Sequence, residues 1–130
     1  MIFVMILELC ACSNAKEKML LESEEVDLAQ VHQEYRENAV RAKKLYEGKV
    51  VKCTVEVERI TAYGLVETLI PKDKNGNMYL PVDVYFKDDN DVVTLNKNDE
   101  ITVVGKLHIV GDLYIYSTSI RDAYLVSVEQ

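Results

Sequence analysis

From Val51 to Glu58, inside a run that extends from Val50 to Ile60, apolar and polar side chains alternate without a break. Val51, Cys53, Val55 and Val57 fall on one side, and Lys52, Thr54, Glu56 and Glu58 on the other. Period two is the spacing of a strand with one buried face. Further strands follow. Gly64 marks a turn, and Leu65 to Ile70 is a second strand. Pro71 to Asn77 reads as a hairpin loop, with Asn75-Gly76 suited to positive φ. Met78 to Lys87 is a third strand, with Val82, Val84 and Phe86 on one face and Asp83, Tyr85 and Lys87 on the other.

A polar connection then runs from Asp88 to Asp99. Glu100 to Ile109 is a fourth strand, Val110-Gly111-Asp112 a tight turn and Leu113 to Ile120 a fifth strand, with Tyr124 to Val128 as a short apolar tail. Five strands with one long third-to-fourth connection predict a five-stranded OB-fold Greek-key barrel over residues 47–130. An open meander or a small sandwich is the competing layout. The long first strand favours the barrel, where it bends and pairs with both halves.

Ahead of the barrel, residues 23–46 have helical periodicity. Leu28, Val31, Tyr35, Asn38/Ala39, Ala42 and Leu45/Tyr46 recur at steps of three and four. The fold class is therefore mainly β with one long N-terminal helix, amphipathic and packed on the barrel. Ser23 is the expected N-cap and Gly48 the terminator. Acidic Glu24, Glu25 and Asp27 at the start and basic Arg41, Lys43 and Lys44 at the end suit the helix dipole. Asn38 falls inside the apolar stripe, either as a ligand contact or, as favoured here, to satisfy barrel backbone groups. His32, at the stripe edge, is expected to be partly exposed.

Residues 1–12 read MIFVMILELCAC. Leu9, small Ala11 and then Cys12 resemble a lipobox, and the expectation is a lipoprotein-type signal segment with Cys12 as the lipidated residue. Residues 13–22 are then a polar tether. Two features depart from that pattern: Glu8 interrupts the apolar run, and no Lys or Arg precedes Lys16. A start upstream of Met1 would supply the missing charge. The alternative is an apolar N-terminal element packed on the body of a cytoplasmic protein. The run is too short to span a bilayer as a helix, which takes about 20 residues.

The chain has 130 residues, enough for one domain, with 48% hydrophobic residues for a core. Its net charge of -7 weighs against nucleic acid, because Lys and Arg neutralising phosphates supply most of that affinity. It also weighs against charge-driven docking on an anionic membrane. From Glu47 onward there are nine Lys or Arg against fourteen Asp or Glu. Once Cys12 is modified and Cys10 removed, Cys53 has no partner for a disulfide.

Four stretches stand out together: Tyr35-Arg36-Glu37-Asn38-Ala39 with Ala42, Leu45-Tyr46-Glu47-Gly48-Lys49-Val50-Val51, Val82-Asp83-Val84-Tyr85-Phe86, and the run from Leu95 to Leu107. Through them residues 31–120 resemble the tRNA-anticodon-like OB family (tRNA_anti-like) of small bacterial proteins, many of them lipoproteins. Asn98 replaces the turn glycine common before the fourth strand, and Asn tolerates the left-handed conformation. Gly105 fits a barrel bend where a side chain would clash. The resemblance implies the fold and an OB ligand face; the family name does not make the chain a tRNA binder.

No acid, base and nucleophile converge, since His32 and His108 sit on different elements and the serines lack a histidine neighbour. The chain is expected to be no enzyme, with no cofactor and no metal. Asp88-Asp89-Asn90-Asp91 lacks EF-hand spacing and reads as a solvated loop. The candidate ligand face is Tyr63, Tyr79, Asp83, Tyr85 and Lys87, with Tyr114 and Tyr116 near His108. Such tyrosines stack bases or sugars, but they are also good strand formers. The expected role is an envelope-anchored binding module for a protein or glycan partner. Single-stranded nucleic-acid binding is the alternative, disfavoured by charge.

Overall fold

The computed structural model describes residues 13–70, 81–111 and 116–129. The leader 1–12, the loop 71–80 with Tyr79 and the turn 112–115 with Tyr114 lie outside the described residues. The helices are α1 (Ser13–Glu22), α2 (Leu28–Glu37), α3 (Ala39–Tyr46) and α4 (Asp89–Val93). The strands are β1 (Glu24–Glu25), β2 (Val50–Ile60), β3 (Leu65–Leu69), β4 (Pro81–Phe86), β5 (Glu100–Gly111) and β6 (Tyr116–Glu129).

The alternation in β2 does what it predicts. Val51, Val55 and Val57 are fully buried and Cys53 nearly so. The N-terminal half of β2 pairs antiparallel with β5, and its C-terminal half pairs antiparallel with β3. The order β2-β3-β4-β6-β5 closes back on β2, so five strands form a barrel with no free edge between them. β4 and β6 run parallel, which is the Greek-key step. Val66, Val82, Val84, Ile101, Val103, Leu107, Ile109 and Ile120 fill the interior. Each fully buried aliphatic side chain of this size contributes about 1.5–3 kcal/mol of transfer free energy.

Two tight conformations hold the closure. A Cβ at Gly105 would lie 2.5 Å from Ile120 Cγ2 and 2.8 Å from the Arg121 carbonyl oxygen, where β5 and β6 converge at a register shift. Asn98 has φ of 74° and donates its N–H to Val57 O at 2.7 Å, so the glycine-to-Asn exchange keeps the turn.

The single helix expected over 23–46 is instead two. Asn38 adopts φ of -158° and ψ of 94°, ending α2, and its side chain accepts from Arg41 N to cap α3. It thus satisfies helix backbone, not barrel backbone, and it is exposed. The N-cap of α2 is Asp27 rather than Ser23, whose hydroxyl donates back to Leu20 O. α2 and α3 pack together, and Tyr46 donates its hydroxyl to Glu34 across them. α2 lays Leu28, Val31, His32 and Tyr35 on the barrel at i, i+3, i+4 and i+7. Tyr35 reaches Gly111 O at 2.6 Å.

His32 is buried, 1% exposed, with Nε2 2.6 Å from Thr118 Oγ1. The expected exposed histidine is therefore a core side chain. Burial, helped by Arg36, pulls its pKa down to about 4.

Three other expectations change. Residues 13–22, read as a tether, form α1, which packs against β5 and β2. The solvated loop at 88–91 is the start of α4. Asp88 caps it through Asn90 N, and Asp91 Oδ2 accepts from Leu125 N at 3.0 Å. The fifth strand and the tail are one strand, β6, because Asp122, at φ of 51°, absorbs an irregularity that lets pairing with β5 continue to Glu129.

Candidate ligand-binding face

OB barrels present ligands to their second and third strands and the loops beside them. Here those strands are β3 and β4. Their register sets Leu65 opposite Tyr85, Glu67 opposite Asp83 and Leu69 opposite Pro81 on the outer surface. Val66, Val82, Val84 and Thr68 point inward, and Thr68 donates its hydroxyl to Val82 O at 2.7 Å.

One polar row crosses this outer surface. Arg59 on β2 reaches Glu67 with Nε and Nη2 at 2.7 and 2.8 Å, a bidentate pair. The Arg59 hydrogen bond holds the Glu67 carboxyl below its ordinary range. Asp83 comes next, and burial, then the Glu67 charge, push its carboxyl above the ordinary range. Asp83 pairs with Ser119 on β6, and Ser119 with His108 on β5. His108 Nδ1 lies 2.8 Å from Glu47 Oε1, while Ile109 N donates to Glu47 Oε2 at 2.9 Å. Burial raises the Glu47 carboxyl, but these two hydrogen bonds, together with the charges of His108 and Lys43, outweigh it and leave it below the ordinary value.

Tyr85 is 41% exposed, and Arg121 sits over it with Cζ 5.3 Å from the ring centroid, a cation–π contact. Asp83 and Tyr85 therefore do share one face. Tyr63 and Lys87 stand apart from them. Tyr63 is almost wholly exposed in the β2–β3 turn, at the rim of a groove with Ile60, Val92 and Val93. Lys87 lines a different groove, under α1. Tyr116 opens β6.

The residues the sequence reading missed on this face are Arg59, Glu67 and Arg121. Alternation marks Glu67 and Arg121 as outward but would turn Arg59 inward with Val57; the irregularity in the β2–β3 pairing between Val57 and Arg59 puts it outside, and strand register decides which side chains meet. Arg59 meets Glu67 through the antiparallel β2–β3 pairing, while Arg121 reaches Tyr85 through a parallel pairing between strands more than thirty residues apart.

The row offers hydrogen-bond acceptors and an aromatic plate. Among the described residues, no group of three or more His, Cys, Asp or Glu is placed to hold a metal ion. The Cys53 thiol is buried in the core, and burial pushes its pKa up to about 12, far from a reactive thiolate. No helix among the described residues is long and apolar enough to cross a membrane.

A closed five-stranded barrel with a parallel contact between its third and fifth strands defines an OB-fold protein. Within that class the chain belongs to the tRNA_anti-like family, whose model matches residues 2–118. The family resemblance seen in the sequence is thus borne out. Among solved structures the chain is similar to a crystal structure from Klebsiella pneumoniae subsp. pneumoniae, of a "putative nucleic acid-binding lipoprotein". The TM-score is 0.59 at 22% identity, covering 83% of this chain and 95% of that one. At that identity the likeness speaks for the fold. No curated protein matches the chain.

Proposed function

We infer that the protein is a non-enzymatic OB-fold binding module, held at the bacterial cell envelope by lipid on Cys12, that engages a protein or glycan partner. One observation carries the choice of partner, namely the charge of the outer β3–β4 face. Its centre sets Glu67 beside Asp83, and the Arg59 cation in that row is tied to Glu67. Phosphates need a track of free Lys and Arg, and paired carboxylates repel them. Acceptor oxygens beside Leu65 and Tyr85 suit glycan hydroxyls, or a basic and apolar protein segment. The anchor is supported by the lipobox-like Leu9 to Cys12, and by the word lipoprotein in the name of the Klebsiella protein.

Single-stranded nucleic acid is the second reading. The Tyr85 plate under Arg121 favours it, as does the nucleic acid-binding part of that same name. Fluorescence anisotropy of labelled single-stranded DNA and RNA, at roughly 50 and 200 mM salt, separates the two. The expected result is no saturable binding at the lower salt. Micromolar binding that weakens with salt and is lost in Tyr85→Ala would establish the second reading instead.

A further inference from the structure

The groove between α1 and the barrel carries a charge opposite to that of the whole chain. Ala15, Lys18 and Met19 of α1 form one wall, and Lys87, Lys106 and Tyr124 face them across about 250 Å³. Arg121 on β6 pairs in register with Lys106 on β5, so a fourth cation stands beside the groove. Lys18, Lys87, Lys106 and Arg121 are all exposed. Two acids, Glu22 and Asp122, also line it. Asp122 approaches Lys106 Nζ at 3.5 Å, with both side chains about half exposed, a pairing that water and salt weaken. The excess of positive charge is local, in a chain of net charge -7.

Position gives this patch its meaning. Ala15 follows Cys12 by three residues, and three residues of chain reach at most about 11 Å. A lipid on Cys12 therefore brings the groove to a bilayer surface at a distance comparable to the Debye length, about 8 Å at physiological salt. Within that range each Lys or Arg gains from an anionic leaflet. Met19 and Ala15 supply an apolar wall beside the ammonium groups, and a tyrosine, polar at its hydroxyl and apolar in its ring, suits the headgroup layer.

We propose that this lysine-lined groove docks on anionic phospholipid headgroups beside the anchor and fixes the orientation of the barrel on the membrane. The proposal rests on the reading of Cys12 as the lipidated residue. It also reverses, for one patch, the expectation drawn from net charge. An anchor alone leaves the domain free to turn about its point of attachment. A second contact through charge adds affinity and selects one face.

The test uses the full chain with Cys12→Ser, sedimented with vesicles of phosphatidylcholine alone or mixed with phosphatidylglycerol. Phosphatidylglycerol should raise partitioning at least roughly tenfold at low salt, and high salt should erase the gain. The K18E/K87E/K106E variant should lose the gain while its partitioning to phosphatidylcholine stays unchanged. The K43E/K44E/K97E variant, with the same charge change at exposed lysines outside the groove, should keep most of it. Equal gains in the two variants, or no gain in the parent, would overturn the proposal. So would salt-sensitive oligonucleotide binding lost in K18E/K87E/K106E without any vesicle gain, which would give the patch to nucleic acid. Fatty-acid labelling of Cys12 in cells keeps the two ideas apart. An unlabelled Cys12 overturns the anchor, and with it the docking beside an anchor; a labelled Cys12 without the phosphatidylglycerol gain overturns the docking alone.

Discussion

Gly105 sits where a Cβ would meet backbone, and His32 sits buried against Thr118. At Gly105 the atoms in the way belong partly to backbone, so they cannot swing aside. Gly105→Ala should cost about 1–3 kcal/mol, read as a lower urea midpoint at unchanged slope. Full stability in that variant would mean that β5 and β6 are farther apart than described. The clash was foreseeable in kind, because a glycine inside an apolar strand marks a bend or a close approach. Which backbone approaches was not.

His32 makes folding depend on pH in a definite direction. Its folded pKa of about 4 lies below the ordinary 6.5, so the unfolded chain binds its proton first as pH falls. Stability from this residue is full above pH 6.5 and is lost as pH drops towards 4. By pH 5 the loss should be about 2 kcal/mol. Urea unfolding of the parent and of His32→Gln, at pH 7 and pH 5, reads it. The parent should lose that stability and the variant should not, whatever its starting level. Equal losses would show that other groups carry the dependence. Periodicity placed His32 at the stripe edge, and only Thr118, 86 positions later, shows that it is covered.

Among the elements, β2 was legible because the alternation from Val51 to Glu58 has one structural solution. The α2–α3 break was not. Asn38 continues the three-and-four spacing, so the pattern runs through it, while its capping tendency argues locally for a stop. Capping won because the two short helices can each turn an apolar face inward and be tied by Tyr46 and Glu34. Asn38→Ala removes the α3 cap and should lower stability by about 1 kcal/mol. An unchanged urea midpoint would mean that the cap is dispensable and the helices are separated by packing alone. β6 was read as strand plus tail because Arg121-Asp122 interrupts the apolar run. The chain absorbs the interruption with one residue at positive φ, a solution that composition does not announce.

At the scale of the molecule, the barrel was readable because a long first strand, turn residues and family motifs all point one way. The candidate site was only half readable. Asp83 and Tyr85 share a face as alternation required, but Tyr63 and Lys87 fall in separate grooves. The partners of the face, Arg59, Glu67 and Arg121, come from register. Net charge was the poorest guide, since it hides an acidic row on β3–β4 and a basic groove under α1. The two surfaces suit a module that meets a membrane with one and a partner with the other.

The central claim is that this module lives on a lipid anchor, and incorporation of labelled fatty acid at Cys12 in bacterial cells, with fractionation, tests it most directly. The account predicts a labelled, membrane-associated chain, and a Cys12→Ala variant that is unlabelled. An unlabelled parent chain recovered in the soluble cytoplasmic fraction would contradict it.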